Sequence, residues 1–317
     1  MNEIVGSFGP ERNLVGTFAI PTCASPQPIG FILLNAGIVH RIGPHRLNVK
    51  LARGLAKAGF ASLRFDLSGQ GDSRASIAGV HVLQRAVLDM QAAMDHMQRT
   101  VGIRQFAVAG LCSGAHHGVS TALADNRVVG LWLYDSFIYP NAKTRRTYYR
   151  RRLRNDGISA ITGWLARNAR FVFSPRIRNR AVGPTDLQMS EYWQVTPARD
   201  EYGGMLQALV DRGVHIEMMH SGSFLEGYNY ANQFRDTFRD FPMSNVVQCT
   251  FRPEMDHSVT AVHAQHAIIA AICRWAQSLS TNSTTAGGER EKPQHTRERS
   301  IRAQSDALSP EFSQEAP

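Results

Sequence analysis

The sequence predicts an α/β fold with a mostly parallel central sheet, helices on both faces and an inserted helical lid. Short apolar runs with the length of buried strands alternate with segments whose apolar residues recur at helical spacing. Strands joined through helices pair in parallel by right-handed crossovers, and the resulting sheet is covered on both faces. The alternation stops after Asp135 and resumes near Gly204, which indicates an insertion. A chain of 317 residues has room for one such domain.

The first half of the chain carries the clearest alternation. Two apolar runs, at 14–20 and 30–35, are predicted strands separated by a turn that contains proline. Apolar residues at 47, 51, 55 and 58 predict a helix over 46–58, which Gly59 ends. The same two patterns predict strands at 60–65, 104–109 and 128–134, and helices at 82–97 and 115–124.

The second half contains the insertion and the remaining elements. Residues 140–205 are rich in arginine and aromatic residues, and we predict a lid there over the strand ends, where open α/β sheets bind ligands. Alternation then predicts helices at 204–211, 229–238 and 259–279, with strands at 214–219 and 246–251. Residues 280–317 are polar and predict a disordered tail, which leaves 1–139 and 206–279 as the two parts of the core.

Composition limits the class of protein. A hydrophobic content of 43% and a charged content of 19% are typical of a globular protein with a sizeable core. No apolar run reaches the roughly 18–20 residues of a membrane span, and no secretory signal is visible, so we expect a cytoplasmic protein. Four scattered cysteines without a CxxC pair argue against a disulfide framework and a zinc site. We expect neither a metal nor another cofactor.

The net charge of +9 arises largely from one arginine-rich stretch, residues 143–180. This stretch has two interpretations, a site for phosphates or an anionic membrane surface and a solvated helix surface. The sequence shows no helix-turn-helix, RNP or zinc-finger pattern, so we expect no nucleic-acid partner. The oligomeric state is left open.

The pentapeptide Gly110-Leu111-Cys112-Ser113-Gly114 lies between a predicted strand and a predicted helix. This is the context of a nucleophile elbow, in which glycines let strand and helix approach and the middle residue stands on a sharp turn. A position near a helix N-terminus favours a thiolate, the nucleophilic form of cysteine. The alternative is a buried, inert cysteine in a glycine-rich turn.

With three further landmarks in order, the chain resembles the α/β-hydrolase fold over residues 10–279. These landmarks are Asn35-Ala36-Gly37 after a strand, the loop Asp66-Leu67-Ser68-Gly69-Gln70-Gly71-Asp72-Ser73, and Asp256-His257 after the last strand. Together with LRFDLSGQGDS and GLCSG, the stretch NAGIVHRIGPHRLNVKLARGLAKAGF is also similar to hydrolases associated with bacterial exosortase and exopolysaccharide systems. Cysteine replaces the usual serine of the elbow, as in dienelactone hydrolases.

The resemblance implies a role for each member of a catalytic set. Cys112 is the candidate nucleophile and His257 the candidate base, with a surface histidine as the alternative for the latter. The acid stays open between Glu226, close to where an aspartate is expected, and Asp135, one strand earlier, or neither. The backbone N–H groups of Ser113 and of Gly37 or Ile38 are the candidate oxyanion donors. His40, His116 and His117 are candidate substrate-binding residues.

These residues predict an esterase- or thioesterase-like acyl hydrolase, or an acyltransferase, that acts on a small-molecule acyl substrate. The apolar and basic residues of the predicted lid suit an apolar chain with an anionic end. The alternative is a non-catalytic binding or scaffold protein of a polysaccharide or exosortase-type system.

Overall fold

The computed structural model describes residues 1–34, 36–76, 79–156 and 196–288, with side chains as far as residue 281. Residues 1–279 form one compact unit and residues 280–317 a second one, of which the structure describes the end of a helix. No helix among these described residues combines the length and the apolar character needed to cross a membrane.

The centre of the first unit is an eight-stranded sheet in the order β1-β2-β4-β3-β5-β6-β7-β8. β1 and β2 are antiparallel to each other, β2 is antiparallel to β4, and all the other neighbours are parallel. The strands are β1 Asn2–Phe8, β2 Leu14–Ile20, β3 Ile29–Leu34, β4 Ser62–Phe65, β5 Gln105–Leu111, β6 Val128–Tyr134, β7 His215–Ser221 and β8 Gln248–Arg252.

Helices follow most of the parallel strands. Among the described residues they are α1 Leu47–Lys57, α2 Val82–Val101, α3 Ser113–Ala124, α4 Ala142–Asp156, α5 Arg199–Asp211, α6 Gln233–Thr237 and α7 Val262–Gly288. Three short 3₁₀ turns add Pro44–Arg46, Gly222–Phe224 and Pro242–Asn245.

Two apolar layers cover the faces of the sheet. On one face α2, α3 and α5 bury side chains such as Met94, Val119 and Leu206. On the other face α1 and α7 bury side chains such as Leu51 and Ile272. The central strands β3, β4, β5 and β6 are buried on both faces, as parallel strands in an α/β protein are. The predicted fold class is therefore confirmed.

The three largest differences between the predicted and the observed elements are as follows. The strand β1 was not predicted, because six of its seven residues are exposed and no apolar run marks it. The helix α5 begins at Arg199 and packs Tyr202 into the core, so the predicted end of the lid at 205 falls inside a helix. The helix α7 continues to Gly288, past its predicted end at 279. Residues 157–195 of the predicted lid and 289–317 of the predicted tail lie outside the described residues.

Candidate active site

Cys112 stands between the end of β5 and the start of α3 with backbone angles of φ 52° and ψ −116°. Such angles strain a residue that has a Cβ atom, and strained residues cluster at functional sites. A side chain at Gly110 would collide with the carbonyl oxygen of Gly114, so the close approach of strand and helix requires glycine. The turn holds Cys112 half-buried at the strand end.

The parallel ladder brings Asp135 to the same edge of the sheet as Cys112. The backbone N–H of Cys112 donates to the carbonyl of Tyr134 over 2.8 Å, and that of Asp135 donates to Met219 over 2.9 Å. Asp135 follows β6 directly and has a positive φ of 48°. Both residues therefore leave neighbouring strands at the same level, each in a strained backbone conformation.

The Asp135 carboxylate is bonded to His257 and held by Ser221. His257 Nδ1 lies 2.8 Å from Asp135 Oδ2. Ser221, at the end of β7, donates its backbone N–H to Oδ1 and its hydroxyl to Oδ2, each over 2.7 Å. The Asp135 side chain is fully buried, whereas 29% of the His257 side chain is exposed. The imidazole is therefore fixed on one side and open to solvent on the other.

Two neighbouring strands fix the loop that carries His257. The His257 N–H donates to Ser223 Oγ over 2.8 Å, and the Tyr134 hydroxyl donates to the Asp256 carbonyl over 2.8 Å. The ring of Phe224 meets the imidazole edge-on, with centroids 5.0 Å apart. His257 is thus positioned by contacts from β6 and from the turn after β7, and not by its own loop alone.

Hydrogen bonding raises the pKa of His257 to about 10. The bond to Asp135 has the largest effect, and a bond to Cys112 adds to it, while partial burial opposes both. Because Nδ1 faces Asp135, Nε2 is the nitrogen available to the sulfur. A protonated imidazole beside the thiol can stabilise a thiolate and can donate a proton to a leaving group.

Glu226, the other candidate acid, lies in a different contact. Its Oε1 accepts a hydrogen bond from the Tyr148 hydroxyl of α4 over 2.6 Å. Among the described residues, the carboxylate bonded to His257 is that of Asp135. The end of β6 lies between the ends of β5 and β7, so an acid there is flanked by the elbow on one side.

The predicted oxyanion residues meet in an unexpected way. The Gly37 N–H donates to the hydroxyl of Ser113 over 2.6 Å, and Gly37 adopts a φ of 52°. Ser113 is the first residue of α3, where a backbone N–H has no acceptor within its helix. Ile38 is 69% exposed. The sequence predicted a role for the backbone N–H of Ser113. It did not predict that the Ser113 hydroxyl would accept a hydrogen bond from Gly37.

The three predicted substrate-binding histidines lie in three different settings. His40 lies 3.3 Å from Asp72 and 2.7 Å from Arg41. The ring of His116 stacks on Phe137, with centroids 3.5 Å apart. His117 is buried, which lowers its pKa to about 4, so it faces packed protein and not an open surface.

A further histidine, His220, lies on the buried side of Asp135. Its Nδ1 is 3.8 Å from Asp135 Oδ1, and its ring stacks on Tyr228 with centroids 4.1 Å apart. Burial lowers the pKa of His220 to about 4, so it is neutral at pH 7. Asp135 is therefore next to one histidine whose imidazole is charged at pH 7 and one whose imidazole is neutral.

The ligand atoms of His40, Asp66 and Asp72 lie within 4.8 Å of one another, as in a metal site. The Arg41 guanidinium occupies this cluster, with Nη1 at 2.5 Å from Asp66 and 2.6 Å from Asp72. A side chain at Gly71 would collide with the Asp66 carboxylate. The cluster is therefore an ion-paired turn whose cation is an arginine.

The arginine-rich stretch is partly described, as helix α4. It borders a surface groove of about 980 Å³ whose lining includes basic residues from three helices and the segment after α6. These residues are Lys143, Arg145, Arg199, Arg235 and Arg239. Two acids of the same groove offset part of this charge, since Lys143 pairs with Asp236 and Arg199 with Asp240. Contact with phosphates or an anionic membrane stays a prediction.

Comparison with known proteins bears on the fold of the chain. Residues 35–185 match the family model described as serine aminopeptidase, S33. An esterase from Pyrococcus furiosus superposes with a TM-score of 0.56 at 12% identity, covering 87% of this chain and 91% of its own. A thermophilic esterase from Thermogutta terrifontis superposes with a TM-score of 0.51 at 15% identity, covering 88% and 100%. The chain has the α/β-hydrolase fold.

Mouse alpha/beta hydrolase domain-containing protein 10 superposes with a TM-score of 0.50 at 16% identity, covering 87% of this chain and 99% of its own. A comparison with curated protein sequences gave no significant match. The family match and the superposed esterases therefore support the general class of the α/β hydrolases. The name of the family model specifies a serine enzyme, whereas the elbow of this chain carries Cys112.

Proposed function

We propose that the protein is an acyl hydrolase or acyltransferase that acts on ester or thioester bonds through Cys112. The observation that carries this proposal is the 2.8 Å hydrogen bond between His257 and the buried Asp135, at the edge of the sheet where Cys112 stands. Nucleophile, base and orienting acid each follow a different strand at this edge, and covalent acyl transfer uses these three groups together.

In the first half-reaction the Cys112 sulfur forms a bond to the acyl carbon, and the carbonyl π electrons move to oxygen. Collapse of this oxyanion breaks the bond to the leaving alcohol or thiol, which takes its proton from His257. The product is a thioester on Cys112. Water or another acceptor then attacks the carbon and gives its proton to His257, and Cys112 leaves as a thiolate.

The raised pKa of His257 suits this sequence of proton transfers. In the resting protein a pKa of about 10 keeps the imidazole protonated and ready to act as an acid. Part of the rise comes from Cys112, and acylation removes that part because a thioester sulfur carries no charge. The pKa of His257 therefore falls in the intermediate, in which the same ring must accept a proton.

The absence of an aspartate after β7 favours the non-catalytic alternative. The bond between Asp135 and His257 supports the catalytic proposal, because it offers a carboxylate that follows β6 in place of the missing one. Membership of the exosortase-associated group rests on sequence resemblance alone. A substrate with an apolar chain and an anionic end is supported by the exposed Tyr149, Arg150 and Arg151 on α4.

Hydrolysis of activated aryl esters and thioesters tests the proposal. We expect turnover by the wild type and a loss of about 10³-fold or more in Cys112→Ala and His257→Ala. Cys23→Ala is the matched control, because Cys23 is a free, exposed thiol away from the elbow, and we expect it to keep full activity. Equal activity in Cys112→Ala and the wild type would rule out the proposed nucleophile.

A further inference from the structure

We propose that the Ser113 hydroxyl is a catalytic oxyanion donor, placed between the Gly37 N–H and the reacting carbonyl oxygen. This inference rests on the proposed function and adds a residue to it. The expected hole consists of two backbone N–H groups, that of Ser113 and that of either Gly37 or Ile38. In the proposed hole both donors belong to Ser113, and Gly37 acts through the hydroxyl.

The backbone N–H of Gly37 already donates a hydrogen bond within the protein. It donates to Ser113 Oγ over 2.6 Å, and a backbone N–H has one proton to give. The positive φ of Gly37 turns the loop in this direction, while a Cβ there would meet nothing within 4 Å. Glycine at this position thus serves the backbone conformation and not the packing.

The hydroxyl proton of Ser113 is available for a further hydrogen bond. A serine hydroxyl has one proton and two acceptor lone pairs. One lone pair of Ser113 accepts from Gly37, and no acceptor for its proton is found in the part of the chain that the structure describes. Ser113 immediately follows Cys112, so its hydroxyl proton is available close to the acyl group that the sulfur would bind.

Two electrostatic effects favour the Ser113 hydroxyl as a donor to a developing negative charge. A hydroxyl that accepts a hydrogen bond becomes a stronger donor, because the chain of bonds polarises along its length. Ser113 also lies in the first turn of α3, where the helix dipole favours negative charge. A preorganised donor at the oxygen where charge develops lowers the barrier in the way that oxyanion holes do.

Two reactions of Cys112 distinguish this role from simple anchoring of the loop after β3. Acylation by an aryl ester builds negative charge on a carbonyl oxygen, whereas alkylation by iodoacetamide displaces iodide at a saturated carbon. In Ser113→Ala we expect acylation to slow by about 10²–10³-fold and alkylation to stay within about twofold. Ser113→Thr keeps the hydroxyl, and we expect it to acylate within about tenfold of the wild type.

Three results would overturn the inference. Acylation of Ser113→Ala at the wild-type rate would show that a backbone N–H, that of Gly37 or Ile38, is the donor. A parallel loss of acylation and alkylation would reduce Ser113 to a positioning residue. A wild type that iodoacetamide alkylates at Cys112 but that no ester acylates would remove the proposed function and this inference together. Thermal melting of each variant confirms that the compared proteins are folded.

Discussion

Asp66 and Asp135 are two buried carboxylates in the same kind of place, each directly after a strand of the sheet. Asp66 follows β4 and accepts from the backbone and the guanidinium of Arg41 over 2.6 and 2.5 Å. Asp135 follows β6 and accepts from Ser221 and from His257. Each carboxylate is therefore bound by at least one backbone N–H, with that of Asp72 as a second one for Asp66, and by a side chain that can carry a positive charge.

The difference lies in whether that partner can lose its proton. Arginine stays charged at every accessible pH, so Asp66 and Arg41 form a permanent ion pair that ties a turn to the sheet. An imidazole binds and releases a proton, and His257 is partly exposed, so the pair with Asp135 can take part in proton transfer. Two carboxylates that are buried in the same way thus have different roles. Asp66 is a structural anchor, and Asp135 is a candidate catalytic acid.

The largest expected effect is on catalysis at Asp135. We expect Asp135→Asn to lower kcat/KM for an aryl ester by about 10²–10⁴-fold, because the amide no longer orients and charges His257. Glu226→Gln is the matched control, since Glu226 bonds to Tyr148 and we expect it to retain activity. Loss of activity in Glu226→Gln with retention in Asp135→Asn would reverse the assignment.

The next effect is on stability at Asp66. We expect Asp66→Asn to lower the free energy of unfolding by about 3 kcal/mol, because it leaves the buried Arg41 with only Asp72 as a charged partner. Activity per folded molecule should stay near the wild-type value. Asp135→Asn should also lose stability at neutral pH, because His257 then loses most of the proton affinity that it gains on folding. Denaturant unfolding between pH 7 and 10 measures both variants. The loss in Asp135→Asn should shrink as the pH rises, whereas the loss in Asp66→Asn should not, and the same pH dependence in both variants would remove the contrast.

A third effect concerns the protonation of His257. NMR titration should give a pKa of about 10 for the wild type and a value closer to the ordinary 6.5 in Asp135→Asn. Because the folded state binds this proton more tightly, it gains stability that is complete below pH 6.5 and is lost as the pH rises through 10. A wild-type pKa near 6.5 would show that Asp135 does not stabilise the protonated imidazole of His257.

The last effect is confined to acidic pH and comes from the buried neutral histidines. His117 and His220 have pKa values lowered to about 4, so acid favours the unfolded chain. We expect the free energy of unfolding to fall between pH 6.5 and 4 by up to about 3 kcal/mol for each residue. In His220→Gln the slope of stability against pH should become shallower in this range. If the slope is unchanged in this variant, groups other than His220 cause the loss of stability in acid.

Much of the fold follows from local sequence, because each central strand is an apolar run and each covering helix has an apolar face. The strands over 14–20 and 128–134 were predicted to the residue. The strand β1 was not predicted because it is exposed and forms by pairing with β2. Its own residues carry no pattern that predicts this pairing. The helix α7 extends into polar sequence that carries no packing signal.

Part of the candidate site follows from local sequence and part depends on long-range geometry. The glycines of the elbow mark Cys112 because a tight turn needs them, and the chain order marks His257. The acid was left open between Glu226 and Asp135, since both lie near strand ends and only the three-dimensional structure shows which one meets the imidazole. The bond from Gly37 to Ser113 joins residues 76 positions apart, and no local pattern announces it.

The central claim is that Cys112 takes up an acyl group with the help of His257 and Asp135. Mass spectrometry of the protein after brief mixing with an aryl ester or thioester tests it directly. We expect one added acyl group, mapped to the peptide that contains Cys112, which decays on incubation and forms far more slowly in Asp135→Asn. A folded wild-type protein that gains no acyl group, or gains it at Cys23 in place of Cys112, would contradict the account.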